Sequence, residues 1–399
     1  MNLLLVTAIL FTAAGQPARK SPPVPAPELA LRDNRLGLRV FSSLTSALPG
    51  ENVFISPLSI ALALQMTMHG AAGPTYDAMA GALGVANLER VDVAAGNLAL
   101  RDELVSADKK VRLEIANSLW LRKSAKLNQT YVDDCGKYYQ AAVTALDFAG
   151  PDAVSTINQW VGKHTGGKIE QVVSQLLPDE ILVLVNAIYF KGSWAEAFDP
   201  ALTAPRDFYL ASGSAASRQM MRRDAEFTYK SDELIQAVAL PYGGGRMSMY
   251  VFLPRERDGF AKLMERVEPE NPGALFDGFV PKKGEVVLPR FKLEFEQSLK
   301  KTLTMLGMGP AFEPGADFSG MVSPPTTVAI SDVLHKTFVE VNEEGTEAAA
   351  VTAVKMYATA MPRKDERFSM VCDHPFLCAV RDDMTGSILF LGAVFDPKQ

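Results

Sequence analysis

Cysteine is scarce in this 399-residue chain: Cys135, Cys372 and Cys378 are all it has. An odd, sparse set is no disulfide framework. Cys372 and Cys378 stand six residues apart, and an extended strand would hold them beyond bridging distance. A folding core, not cross-links, must stabilise the chain. Histidine is almost as rare. None of His69, His164, His335 and His374 stands at a zinc-ligand spacing from another His or a Cys, so no metal site is expected. There is no G-x-S-x-G elbow, and no nucleophile constellation supports a hydrolase. The expectation is a protein that is not an enzyme, with no catalytic residues and no cofactor.

Other absences narrow the partners. No dense Lys/Arg block occurs and the net charge is −6, so nucleic acid and polyanions are not implied. No run reaches membrane-spanning length; "ILVLVNAIYF" has only ten residues. The apolar stretch Leu3 to Ala14 near the start is about the length of a signal-peptide core, although no Lys or Arg precedes it. The alternative is the apolar start of a core helix. We read 1–15 as a signal peptide and the Pro-rich 16–29 as an extended linker. The expected location is secreted, extracellular or periplasmic. At 48% hydrophobic and 22% charged residues, the remainder has ordinary globular composition and length to bury a large core.

What is present reads as alternating helices and strands. In "SPLSIALALQMTMHGAAG", Ser56 is a helix N-cap with proline at the first helical position, and Gly70 suits the end. That helix is apolar almost all round, hence buried. "IANSLWL" (115–121) reads as a strand and "DAVSTINQWVGKHTG" (152–166) as a helix with a glycine stop. "ILVLVNAIYFKGSW" (181–194) is apolar on both parities, hence a strand covered on both faces. Residues 235–254 and 373–397 read as hairpins, and 284–308 as strand passing into helix. Helices early and antiparallel strands late make the class α+β. Two decoys are set aside. "GKHTGGKI" (162–169) fits G-x-x-x-x-G-K but has Ile169 where a P-loop needs Ser or Thr, and "YGGG" (242–245) is a hairpin turn. Asn128-Gln129-Thr130 is a glycosylation sequon if the host modifies secreted proteins.

The stretch "EEGTEAAAVTAV" (343–354) is too bland for a core helix and too apolar for a solvated linker. Along a strand, Thr346, Ala348, Ala350, Thr352, Val354 and Met356 share one face without charge, while Glu347 and Lys355 fall on the other. Both charges therefore fall on one parity, which suits a solvent-facing side.

"VNEEGTEAAAVTAV" resembles the hinge of inhibitory serpins. "NVFISPLSIALALQMTMHGAAGPT", "LVNAIYFKGSWAEAF", "LPRFKLEFEQSLKKTLTMLGM", "FSGM" and "DHPFLCAVRDDMTGSILFLGAVFDP" are similar to serpin segments and appear in serpin order. The resemblance implies one domain, 30–399, of three β-sheets and eight or nine helices. It implies a reactive-centre loop at about 343–366 with hinge residues Glu343, Glu344, Gly345, Thr346, Glu347, Ala348, Ala349 and Ala350. Trp194, Arg290 and Glu343 match the family's breach cluster, where insertion begins. Ser56, Ser59, Asn186 and His335 match the shutter cluster beneath the centre of the main sheet. Counting sixteen residues from Glu343 puts the reactive bond at Thr359–Ala360, which favours an elastase-like or subtilisin-like target; Arg363 is the rival. The segment "MPRKDERFSMVCDHPF" is longer than usual, and Val371 stands where the family tends to have Phe. The implied activity is suicide-substrate inhibition of a serine protease by a monomer, with a papain-like cysteine protease as a further partner class. The alternative is a non-inhibitory serpin acting as a binding or chaperone-like module.

Overall fold

The computed structural model describes residues 23–177, 180–324, 327–346 and 367–398. The expected signal peptide and the loop segment 347–366 lie outside the described residues. The helices are α1 (Ala26–Ala47), α2 (Pro57–His69), α3 (Gly73–Ala82), α4 (Arg90–Val105), α5 (Gln129–Asp134), α6 (Ala153–His164), α7 (Phe260–Glu265), α8 (Lys300–Leu303) and α9 (Gly309–Phe312). The strands run β1 (Val53–Ile55), β2 (Val111–Arg122), β3 (Ala142–Leu146), β4 (Leu182–Ser193), β5 (Ala204–Tyr209), β6 (Ala215–Ser231), β7 (Ile235–Pro241) and β8 (Met247–Pro254). They continue as β9 (Val280–Pro289), β10 (Phe291–Ser298), β11 (Ile330–Asn342), β12 (Gly345–Thr346), β13 (Phe368–Val371), β14 (Phe376–Asp382) and β15 (Ile388–Val394).

The α+β expectation holds. One sheet has the order β10-β11-β12-β4-β2-β3. The other nine strands form a network in the order β1-β15-β14-β8-β7-β6-β9-β13, with β5 on β6. The 17-residue β6 explains why two of the three expected sheets are joined. Its far end, Thr228–Ser231, pairs with β7, while Met220–Tyr229 pairs with β9 and Ala215–Met220 with β5. One long strand thus serves a larger and a smaller sheet.

One boundary needs correction. α1 starts at Ala26, so 26–29 is helix and not the linker read there. Proline at a helix start loses no bond, because its missing N–H has no partner in the first turn. Leu29 is fully buried and anchors the turn to the core.

β4 positions everything that follows. Its apolar residues alternate between two cores, as period-2 geometry requires. Leu182, Leu184, Ile188 and Phe190 join the main core with α2, while Val183, Val185 and Ala187 pack with Ile157 and Val161 of α6. α2 itself starts as read: the Ser56 hydroxyl accepts from the Ser59 N–H at 3.2 Å, and Pro57–Met68 are buried.

Candidate functional site

β4 and β11 form a parallel seam in the six-stranded sheet, from Ile330↔Leu182 to Thr337↔Ile188. Above Thr337 the seam is open enough to admit another backbone. β11 ends at Asn342, the chain turns through Glu343 and Glu344, and β12 comes back between the two strands. Gly345 lies opposite Asn342 and Ser193, and Thr346 opposite Val341 and Gly192, antiparallel to both neighbours. Gly345 has φ +145°, and a Cβ there would collide with the Gly192 carbonyl oxygen, so only glycine fits. Thr346 is 2% exposed, and its hydroxyl meets the Tyr242 hydroxyl at 2.7 Å.

The surrounding residues hold this turn in place. The Tyr242 ring stacks on Trp194 at 4.5 Å between centroids. The Trp194 indole N–H donates to the Asn342 carbonyl at 2.9 Å, and its backbone N–H donates to the Glu344 carbonyl at 2.8 Å. The buried Glu343 carboxylate accepts from Arg290 Nε at 2.7 Å and from Nη2 at 2.6 Å. Thr203 Oγ1 also donates to it. A charge-assisted pair with two donors from one guanidinium fixes direction as well as distance. Thus Trp194, Arg290 and Glu343 gather at one end of the seam. Tyr242 and Thr203 complete the cluster and were not read from the sequence.

The second predicted cluster crosses the seam lower down. His335 on β11 faces Asn186 on β4, and Asn186 faces Asn117 on β2. The Ser56 N–H donates to His335 Nε2 at 3.2 Å. That nitrogen is therefore the acceptor, and Nδ1 carries the proton it donates to Asn186 Oδ1 at 2.9 Å. The Asn186 amide in turn donates to the Ser59 carbonyl at 2.6 Å and to Asn117 Oδ1 at 2.5 Å. Burial pushes the His335 imidazole down to about 3, so the ring is neutral. Separating β4 from β11 must break the Asn186–His335 bond. Asn117 was missed because its role depends on strand register, which a single strand pattern does not reveal.

A strap, residues 169–177, covers this seam on the α6 side. The Asn158 side chain on α6 accepts from the N–H groups of Val172 (2.9 Å) and Val173 (3.0 Å) and donates to the Val173 carbonyl at 2.8 Å. Lys336 Nζ on β11 donates to the Gln171 carbonyl at 2.7 Å and to Glu296 Oε2 at 2.8 Å. Glu347, Ala348, Ala349, Ala350, Thr359 and Ala360 lie outside the described residues. Among the described residues no group of three or more potential metal ligands occurs, and no helix is long and apolar enough to cross a membrane.

The architecture has known counterparts. Residues 32–397 match the family model described as Serpin (serine protease inhibitor). The leukocyte elastase inhibitor of Bos taurus is 36% identical over 390 residues, covering 93% of this chain and 100% of that protein. The native structure of the thermophilic serpin Tengpin superposes with TM-score 0.86 at 28% identity, covering 94% and 96% of the two chains. Human thyroxine-binding globulin also superposes with TM-score 0.86, at 26% identity, covering 94% and 100%. With its match spanning nearly the whole sequence, and with both polar clusters assembled on the β4–β11 seam, the chain belongs to the serpin family.

Proposed function

We propose that this protein is a secreted serine protease inhibitor that acts as a suicide substrate. The observation that carries the reading is the position of β12. The hinge residues Gly345 and Thr346 already sit between β4 and β11, at the head of the seam into which a longer strand would run. The target protease's serine oxygen attacks the Thr359 carbonyl carbon. An ester forms there, and Ala360 leaves as a free amine. Released at that end, the loop follows Thr346 into the seam and carries the acylated protease with it. Small residues at the bond favour an elastase-like or subtilisin-like enzyme, in keeping with the name of the bovine relative. Secretion is supported by the apolar run from Leu3 to Ala14.

A second reading is a non-inhibitory binding module. It is supported by the fold shared with human thyroxine-binding globulin, whose structure is a complex with thyroxine. Mixing the protein with pancreatic elastase or subtilisin and running a denaturing gel separates the two. The inhibitory reading predicts a band of higher mass that survives denaturation, with Ala360 as the new N-terminus of the released peptide. Clean cleavage without that band overturns it and leaves the binding module.

A further inference from the structure

Tyr242 supplies the hydroxyl that meets Thr346, yet it opens a turn with little stiffness of its own. Gly243, Gly244 and Gly245 follow it between β7 and β8, and no other three consecutive glycines occur in the sequence. Gly243 has φ +53° and Gly245 φ +90°, a conformation that glycine adopts without strain. The same freedom makes the turn costly to order, because glycine loses more backbone entropy on folding than any other residue. Tyr242 is nevertheless fully buried, with its ring stacked on Trp194. What fixes it must come from outside the turn.

Three neighbours supply the constraint. The Gly243 N–H donates to the Ser193 carbonyl at the end of β4 at 2.8 Å. Asp108, in the connection from α4 to β2, sets its carboxylate against the turn. Its Oδ2 accepts from the Gly244 N–H at 2.5 Å, while its Oδ1 accepts from the Lys110 N–H at 2.8 Å. A Cβ on Gly243 would collide with that carboxylate, so the close approach needs glycine. Arg246 holds the other side of the turn. Its Nε donates to Asp382 Oδ1 at 2.6 Å, and its Nη2 donates to Glu103 Oε1 of α4 at 2.9 Å. Asp382 is fully buried and also accepts from the Thr385 N–H at 2.8 Å and hydroxyl at 2.7 Å, so it is a fixed anchor. Asp108 is fixed in turn: its carbonyl accepts from the Val111 N–H at 3.1 Å, where β2 begins. Val111 lies opposite Gly192, the residue of β4 that also lies opposite Thr346. The turn and the hinge are thus held in one frame.

We propose that Asp108 and Arg246 are positioning residues of the hinge: by clamping the triglycine turn from both sides they hold the Tyr242 hydroxyl where it receives Thr346. Both act through Tyr242. Without the Asp108 carboxylate the Gly244 N–H loses its partner, the turn regains its freedom, and the hydroxyl is no longer held at one place. Thr346 then leaves its seat between β4 and β11 more often. The effect on seating concerns the uncut protein alone; the effect on trapping rests on the inhibitory reading above. In that reading a poorly seated hinge enters the seam late. Water then has time to attack the ester carbonyl, which returns the protease serine hydroxyl and leaves a carboxylate on the cut loop.

The test is amide hydrogen exchange at Gly345 and Thr346 in the uncut full-length protein. Asp108→Ala removes both acceptor oxygens and should speed exchange there several-fold. Asp108→Asn keeps one acceptor oxygen in place of two and should fall between Asp108→Ala and wild type. Tyr242→Phe keeps the ring that stacks on Trp194 but loses the hydroxyl, and it too should speed exchange several-fold. Adding Asp108→Ala to Tyr242→Phe should then change nothing further at Gly345 and Thr346, because the hydroxyl through which Asp108 acts is already gone. A merely structural role would add its own effect. Unchanged exchange in Asp108→Ala, or additive effects in the double variant, overturns the proposal. If Asp108→Ala does not fold, Asp108→Asn makes the same comparison with and without Tyr242→Phe. Mixed with subtilisin, Asp108→Ala should consume several-fold more inhibitor per mole of protease than wild type; equal consumption overturns the effect on trapping. If wild type traps no protease, the inhibitory reading fails separately, and the exchange comparison still decides the positioning role.

Discussion

His335 has the most distinctive environment of any single residue on the seam. Its folded value of about 3 lies below the ordinary 6.5, so between those limits the unfolded chain binds more protons than the folded one. Stability therefore rises with pH across that window: the contribution is complete above the ordinary value and is lost as pH falls towards 3. Urea midpoints taken from neutral to acidic pH should show this slope. His335→Gln, which keeps one acceptor and one donor, should flatten it; an unchanged slope would place the titration elsewhere. Thr346 offers a second test. Thr346→Arg puts a cation at a site already between β4 and β11, where a buried hydroxyl meets Tyr242, at a cost of about 3–5 kcal/mol to seating the hinge there. Trapping should give way to turnover, measured as a several-fold rise in moles of inhibitor consumed per mole of protease; unchanged stoichiometry would show that Thr346 is not at the entry point. Much of this chemistry was legible beforehand. Ser56, Ser59, Asn186, His335, Trp194, Arg290 and Glu343 stand in segments with strong family likeness, and the structure gathers each set. Asn117, Tyr242 and Thr203 were not legible, because only cross-strand register and stacking bring them to those sets.

Among the elements, β4 was the most readable, since a strand apolar on both parities must be covered on both faces, here by α2 and α6. The β10–β11 pairing and the parallel β4–β11 seam were not readable, because nothing within either strand names its partner. The strap 169–177 was also invisible: its order depends on Asn158, a helix residue whose amide replaces the missing ladder for Val172 and Val173. Asn158→Ala should therefore destabilise the protein by about 1–3 kcal/mol by leaving those backbone groups unpaired. Hydrogen exchange should localise the loss to the amides of Val172 and Val173. A full-strength midpoint with unchanged protection there would mean that apolar packing of Val172 and Val173 alone holds the strap.

For the molecule as a whole, the proposed suicide mechanism requires that the intact form is not the most stable arrangement of this chain. Two polar clusters bridge a seam that already admits the first two residues of a strand. The uncharged face of residues 346–356 equips the rest to follow. Each backbone bond gained on insertion adds about 1 kcal/mol, and each buried methyl adds about 0.8 kcal/mol. The most direct test is the heat-unfolding midpoint before and after a protease nicks the chain between Ala358 and Met361. The proposed insertion predicts a midpoint raised by tens of degrees in the nicked protein, whose loop would then be free to enter the six-stranded sheet. A nicked protein that melts at the temperature of the intact one would contradict it.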